Sequence, residues 1–195
     1  MMKRHFAMLA TMFCVVASNG LAAIPSAPEA LQIENFDQAL LSAMMLSQGR
    51  AAALSPAVEQ TFNFSVMAQF LVGVPWTDMQ ASDQASLISA LEQYTVARLA
   101  IRFDHFANQK FVVDPDVKER GPDRLVKTQF VTPGDEPLHI DYRMREYNGS
   151  WKVIDVYSEG VSLLTTQRAD VSSTLEAGGP AALVAKLQRA ADQLH

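Results

Sequence analysis

The chain has 195 residues, of which 49% are hydrophobic, and its formal net charge is −5. This length allows one sizeable domain with a packed core, and no repeat or linker divides it. The acidic balance argues against nucleic acid as a partner and against general attraction to anionic membranes.

The first 22 residues are typical of a Sec-type signal peptide. Lys3 and Arg4 form a charged start, residues 6–16 are apolar, and small residues follow up to Ala22. Cleavage there would leave residues 23–195 as the mature domain, and the loss of two positive charges would change its formal net charge from −5 to −7. The apolar stretch is too short to span a membrane as a mature helix. We therefore predict a soluble, exported protein that is either periplasmic or secreted.

The single cysteine, Cys14, lies inside the predicted signal peptide. A mature chain without cysteine has neither a disulfide nor a thiol nucleophile. Its stability must therefore come from a packed core.

Helical spacing of apolar residues predicts three helices in the first half of the mature chain. The first contains Ile33 and Leu40. Ser55-Pro56 is expected to begin the second, which would continue through Phe70 with apolar residues on two faces. Such a helix is either buried or lines a cavity. Gly73 is expected to end it, and Ser82-Asp83 to cap the third.

After Phe106 the periodicity changes from helical to alternating, which predicts strands over residues 110–113, 124–131, 138–147 and 150–157. Asn148-Gly149 predicts a tight hairpin, because both residues tolerate left-handed backbone conformations. N-terminal helices, an antiparallel sheet of about four strands and C-terminal helices together predict an α+β fold.

The stretch from Trp151 to Arg168 predicts a strand, a turn at Gly160 and a helix that begins at Ser162. Gly178-Gly179-Pro180 then precedes a short terminal helix. Taken in order with the stretch 62–76 and the helix around Tyr94, this run resembles the MlaC-like (toluene-tolerance) family of periplasmic lipid carriers. Within that family, the residues of this run most resemble those of the hopanoid-associated HpnM branch. The resemblance covers residues 33–194.

The resemblance implies a curved antiparallel sheet wrapped by helices into a nuclear-transport-factor-like cone with an apolar cavity. It also implies a carrier that sequesters a phospholipid or hopanoid and shuttles it between membranes. An inner-membrane transporter complex and an outer-membrane donor or acceptor would be its partners. No cofactor is implied.

Apolar residues on one face of the strands and on the second helix could form either a solid core or the wall of a cavity. Composition alone favours a core, and the resemblance favours a cavity. The expected lipid-binding residues share an inward position on these elements and are Phe62, Met67, Phe70, Leu71, Trp76, Tyr94, Val126, Phe130, Ile140, Tyr142, Met144 and Trp151.

Arg168 lies on an apolar helical stripe with Leu164 and Val171, where a buried unpaired guanidinium would be costly. Asp155, on the preceding strand, is its expected partner. We interpret the pair as a structural clamp between strand and helix rather than as a headgroup site.

No catalytic or metal-binding set emerges from the sequence. Gly160 and Ser162 have the setting of a nucleophile elbow, but Leu164 replaces its second glycine. The histidines lack metal-ligand spacing. Two alternatives to a carrier stay open: a cone-fold enzyme acting on a hydrophobic substrate, with Asp155 as its best titratable group, and a periplasmic interaction module with a filled interior.

Overall fold

A computed structural model describes residues 27–194, so the predicted signal peptide lies outside the described residues. The helices are α1 (Pro28–Met44), α2 (Arg50–Thr61), α3 (Phe64–Val72), α4 (Ala81–Arg102) and α5 (Leu163–Asp192), with a short 3-10 helix at Val74–Asp78. The strands are β1 (Lys110–Val113), β2 (Lys118–Arg120), β3 (Asp123–Val131), β4 (Leu138–Tyr147), β5 (Ser150–Ser158) and β6 (Val161–Ser162). The predicted α+β class is confirmed.

The sheet is an antiparallel meander in the order β1-β3-β4-β5-β6, and β2 also pairs with β3. It has six strands rather than about four. The segment around Pro115 interrupts what would be one long strand, since proline cannot donate to the ladder, and β1 and β2 therefore pair with opposite ends of β3. Asn148 and Gly149 have φ of 51° and 78°, as the predicted hairpin requires.

The prediction of one continuous second helix that begins at Ser55-Pro56 is wrong, because the structure has two helices here and the first begins earlier. Pro56 lies inside α2, which begins at Arg50. The chain then leaves the helix at Phe62, whose backbone is extended and forms a bridge with Val153 of β5. Asn63 starts α3 by accepting a 3.1 Å hydrogen bond from the amide of Val66. This side-chain cap and the pairing with β5 together stabilise a break that apolar periodicity does not reveal.

Aromatic side chains form the centre of the core between the helices and the sheet. Phe36 of α1 meets Phe62 edge-on, with ring centroids 5.2 Å apart, and Tyr142 of β4 at 6.2 Å. Phe62 also stacks on Phe64 at 5.7 Å. Helix α1 packs on β1, β3 and β5, while α4 packs against α2, α3 and α5. Within residues 27–194, no helix is both long and apolar enough to cross a membrane.

The predicted strand, turn and helix of the C-terminal run are confirmed. Glu159 and Gly160 adopt positive φ in the turn, and Ser162 caps α5 by accepting a 3.0 Å hydrogen bond from the amide of Thr165. Gly179, with φ of 68°, kinks α5 and separates the terminal helix that was expected after it.

Candidate functional site

An apolar cavity of about 240 Å³ lies between the sheet and the helices. Helix α4 contributes one wall with Leu91, Tyr94, Thr95, Arg98, Leu99 and Arg102. Strands β4 and β5 contribute the opposite wall with Leu138, Ile140, Tyr142, Val156 and Ser158. The first turns of α5 add Leu163, Leu164 and Gln167, and the remaining lining residues are Phe36, Phe62, Met67 and Phe103.

The two walls follow from the periods of their elements. On α4 the lining residues recur every three or four positions, which places them on one face of the helix. On the sheet, Tyr142 lies directly opposite Val156, and Ile140 lies opposite Ser158. These pairs are two residues apart on each strand, so all four side chains share one face.

Exposure orders the lining residues from floor to mouth. Phe36, Phe62 and Leu91 are among the buried ones, which form an apolar floor. Arg98, Arg102 and Leu163 are exposed and form the mouth. The cavity therefore offers an oily interior below a polar, positively charged opening, a combination that suits an amphiphilic ligand.

Five of the twelve expected lipid-binding residues border this cavity: Phe62, Met67, Tyr94, Ile140 and Tyr142. The other seven lie elsewhere. Leu71, Trp76, Val126 and Met144 are buried in the solid part of the core. Val126 sits opposite Tyr142 on the expected face, but a shared face does not decide whether a helix packs directly on the side chain.

The remaining three expected residues, Phe70, Phe130 and Trp151, contact other side chains. Phe130 packs edge-on against Phe103 at 5.2 Å. Phe70 is 38% exposed, and Trp151 is half-buried beneath the guanidinium of Arg124, 5.6 Å from its ring centroid. None of these three aromatic residues borders the cavity.

Among the cavity-lining residues that the sequence did not predict, the largest group lies on α4. Leu91, Thr95, Arg98, Leu99 and Arg102 continue the same helical stripe as Tyr94. The sequence contained a signal for them, since these residues recur with the helical period from Leu91 onward. Polar members such as Arg98 concealed it, because a cavity mouth needs polar residues where a core does not.

Asp155 and Arg168 do not form the expected clamp: among the ion pairs of residues 27–194, none joins them. Asp155 instead accepts a 2.7 Å hydrogen bond from the hydroxyl of Ser162. It therefore supports the cap of α5. Asp155 does not border the cavity, which removes it as the titratable group inside a substrate pocket.

Arg168 connects α5 to α3 by a different contact. Its guanidinium lies 5.1 Å from the ring centroid of Phe70. Its Nη2 also approaches Gly73 so closely that a Cβ there would lie 2.9 Å away. Gly73 has φ of 72°, so glycine is needed both for the backbone and for this approach.

One carboxyl group lies just behind the cavity floor. Asp37 of α1 is buried, and the hydroxyl of Tyr142 donates to its Oδ1 across 3.5 Å. The pKa of Asp37 is raised to about 8, mainly because of burial; the hydrogen bond from Tyr142 lowers this pKa, and the nearby charge of Glu34 contributes to raising it. Asp37 is therefore mainly protonated at neutral pH, which keeps charge out of this apolar region.

A second, open groove of about 460 Å³ adjoins the cavity. Phe62 borders both spaces, with Phe64, Ile88 and Tyr147 on the groove side. The ring of Phe62 thus forms part of the partition between them.

The chain is thus an α+β domain with an apolar cavity beneath a polar mouth, an arrangement typical of small-ligand sites. The family model described as MlaC protein matches residues 35–189. The chain therefore belongs to the MlaC family.

A solved structure gives the same fold. It is the phospholipid-binding protein from Ralstonia solanacearum, in complex with a phospholipid, and it superimposes with a TM-score of 0.73 at 21% sequence identity. The match covers 86% of this chain and 99% of that one. A comparison with curated proteins finds no significant match.

Proposed function

We propose that this protein is a soluble periplasmic lipid carrier that holds a phospholipid or hopanoid in the cavity between α4 and the β4-β5 face. The main observation behind this proposal is the cavity itself, which has buried aromatic residues at its floor and exposed arginines at its mouth. Membership of the MlaC family and the phospholipid named with the Ralstonia structure support the proposal.

The physical need for such a carrier comes from the tails of the lipid. Each methylene hidden from water is worth roughly 0.8 kcal/mol, so tails with about thirty methylenes face a barrier on the order of 20 kcal/mol in water. A protein that shields the tails removes most of this barrier. Residues 1–22, as a signal peptide, would deliver the carrier to the periplasm, where inner- and outer-membrane partners would load and unload it.

A hopanoid, as in the HpnM branch, is a second candidate cargo for the same cavity. Its fused rings present a rigid apolar body to the aromatic floor, whereas a phospholipid presents two flexible chains. The mass of a co-purifying ligand distinguishes the two.

We expect that protein purified gently from the envelope of its own host carries lipid in a one-to-one ratio, as measured by native mass spectrometry. Val156→Trp should abolish this, because the indole would project into the cavity from β5. Val112→Trp is the matched control, since Val112 is a 44% exposed strand valine that does not border the cavity. Equal lipid retention in both variants at unchanged melting temperature would contradict the carrier function.

The cavity must widen to hold a two-chain lipid. Its volume of about 240 Å³ is below the roughly 300–1,000 Å³ of pockets for drug-sized ligands, and a phospholipid is larger than these. We expect loading to separate α4 from the sheet and thus to change hydrogen exchange in α4 and around Phe62. Identical exchange in loaded and delipidated protein would contradict this widening.

The two alternatives make different predictions. An interaction module would keep an unliganded mass under the same gentle purification. An enzyme would need a reacting group on the cavity wall, where Tyr94, Thr95, Tyr142 and Ser158 carry hydroxyls. If the protein converts a bound lipid and Tyr142→Phe abolishes this conversion, the enzyme alternative is favoured.

A further inference from the structure

We propose that the open groove beside the cavity is a docking site for a segment of a partner protein, one that presents a lysine or arginine side chain among apolar ones. The inference rests on the proposed function for the need of a partner, and it adds the surface and the chemistry by which that partner is recognised. The groove is a separate space from the cavity, and among the described residues only Phe62 borders both.

The walls of the groove combine apolar surface with two carboxylates. Helix α4 contributes Ile88 and Glu92, which are four residues apart and therefore share one helix face. Glu59 comes from the end of α2, Phe64 from the start of α3, and Tyr147 from the hairpin between β4 and β5. Such walls suit a lysine or arginine, whose aliphatic stem packs on apolar side chains while its charged end reaches a carboxylate.

Neither carboxylate of the groove has a cation of this chain beside it. Among the ion pairs formed by residues 27–194, none includes Glu59 or Glu92. The one basic residue in the described wall is Lys152, whose ammonium group donates to the backbone carbonyl of Gln60. Burial and the charge of Glu59 raise the pKa of Glu92, so Lys152 does not offset the repulsion between the two glutamates. A cation supplied by a partner would relieve this repulsion.

The open shape of the groove favours a protein segment over a small cation. Sites for small ligands bury most of the ligand surface, whereas this groove is open to solvent and its residues Glu59, Ser65 and Asn148 are exposed. A protein segment covers the groove as it binds and excludes water from the ion pair, which strengthens the attraction. Docking through one short groove is weak and reversible, which suits a carrier that has to leave its partner again.

The test is a selection from random short peptides displayed on phage, with the purified protein as the target. We expect the selected peptides to contain a lysine or arginine next to apolar residues. The affinity of synthetic copies, measured by fluorescence anisotropy, should fall as the salt concentration rises, because ions screen the attraction. Selected peptides without a basic residue, or the selection of no peptide at all, would overturn the proposal.

Two variants test the charge and the shape of the groove separately. Glu59→Gln/Glu92→Gln keeps the shape and should lower peptide affinity about fivefold or more. Ser65→Trp keeps the charge and should abolish binding, because the indole would fill the groove from an exposed position. Glu136→Gln/Glu176→Gln is the matched control, since it removes the same charge from exposed positions outside the groove. An equal loss in this control, or unchanged binding to Ser65→Trp, would overturn the site.

Further outcomes separate this inference from the proposed function. A wild type that retains lipid but selects no basic peptide refutes only the docking groove, whereas a wild type that binds such peptides but never carries lipid refutes only the carrier. Spermidine is the probe for a small organic cation. If it binds the wild type as tightly as the selected peptides do, the groove is a small-cation site and the partner assignment is overturned.

Discussion

Between about pH 4 and about pH 8, the wild-type protein is expected to lose up to about 5 kcal/mol of unfolding free energy relative to the variant Asp37→Asn. Asp37 is buried beside Tyr142, and burial raises its pKa from 3.8 to about 8. In this pH range the folded state holds a proton that the unfolded state has released. Stability from this group is therefore complete below pH 3.8 and is lost as the pH rises through the folded pKa.

Asparagine is the informative replacement because the amide and the protonated carboxyl are both neutral and similar in shape. The two proteins should be about equally stable near pH 4, with the variant more stable at pH 9, as measured by denaturant titration at each pH. Asp135→Asn, which removes an exposed loop carboxylate, is the control. A constant difference between wild type and Asp37→Asn across the range would contradict a protonated Asp37.

Asp123→Ala is expected to lower the free energy of unfolding by about 3 kcal/mol at neutral pH. The carboxylate is inaccessible to solvent, and it accepts hydrogen bonds from Arg143 Nε at 2.6 Å and Arg145 Nε at 2.5 Å. Burial raises the pKa of Asp123, but the two arginines outweigh burial and hold the pKa below its usual value. Removal of the carboxylate leaves two neighbouring guanidinium groups on β4 without their shared partner.

The pH dependence of this effect is opposite to that of Asp37. A carboxylate with a lowered pKa stabilises above its unfolded pKa, so the difference between wild type and Asp123→Ala should shrink as the pH falls below about 4. Glu119→Ala removes an exposed partner of Arg124 and should change the free energy of unfolding by less than about 1 kcal/mol. Similar losses in both variants would show that burial does not strengthen the Asp123 pair.

The local signals of this chain predicted most of its elements. Alternation predicted β1 and the three long strands β3, β4 and β5, and Asn148-Gly149 predicted the hairpin between β4 and β5, because turns and strand faces depend on residues close in sequence. The break at Phe62 escaped prediction, since it depends on pairing with Val153 of a distant strand. Burial of Asp37 escaped for a similar reason, since it depends on packing against Tyr142 of the distant strand β4.

What the sequence by itself determined is the α+β order of elements and most of the apolar residues that point inward, because helix and strand periods are local properties. Tertiary structure alone decided which inward residues face open space. Ile140 and Val126 are equally apolar, yet one borders the cavity and the other is in the solid core. A core and a cavity wall require the same side chains, and they differ only in how far away the opposing element packs.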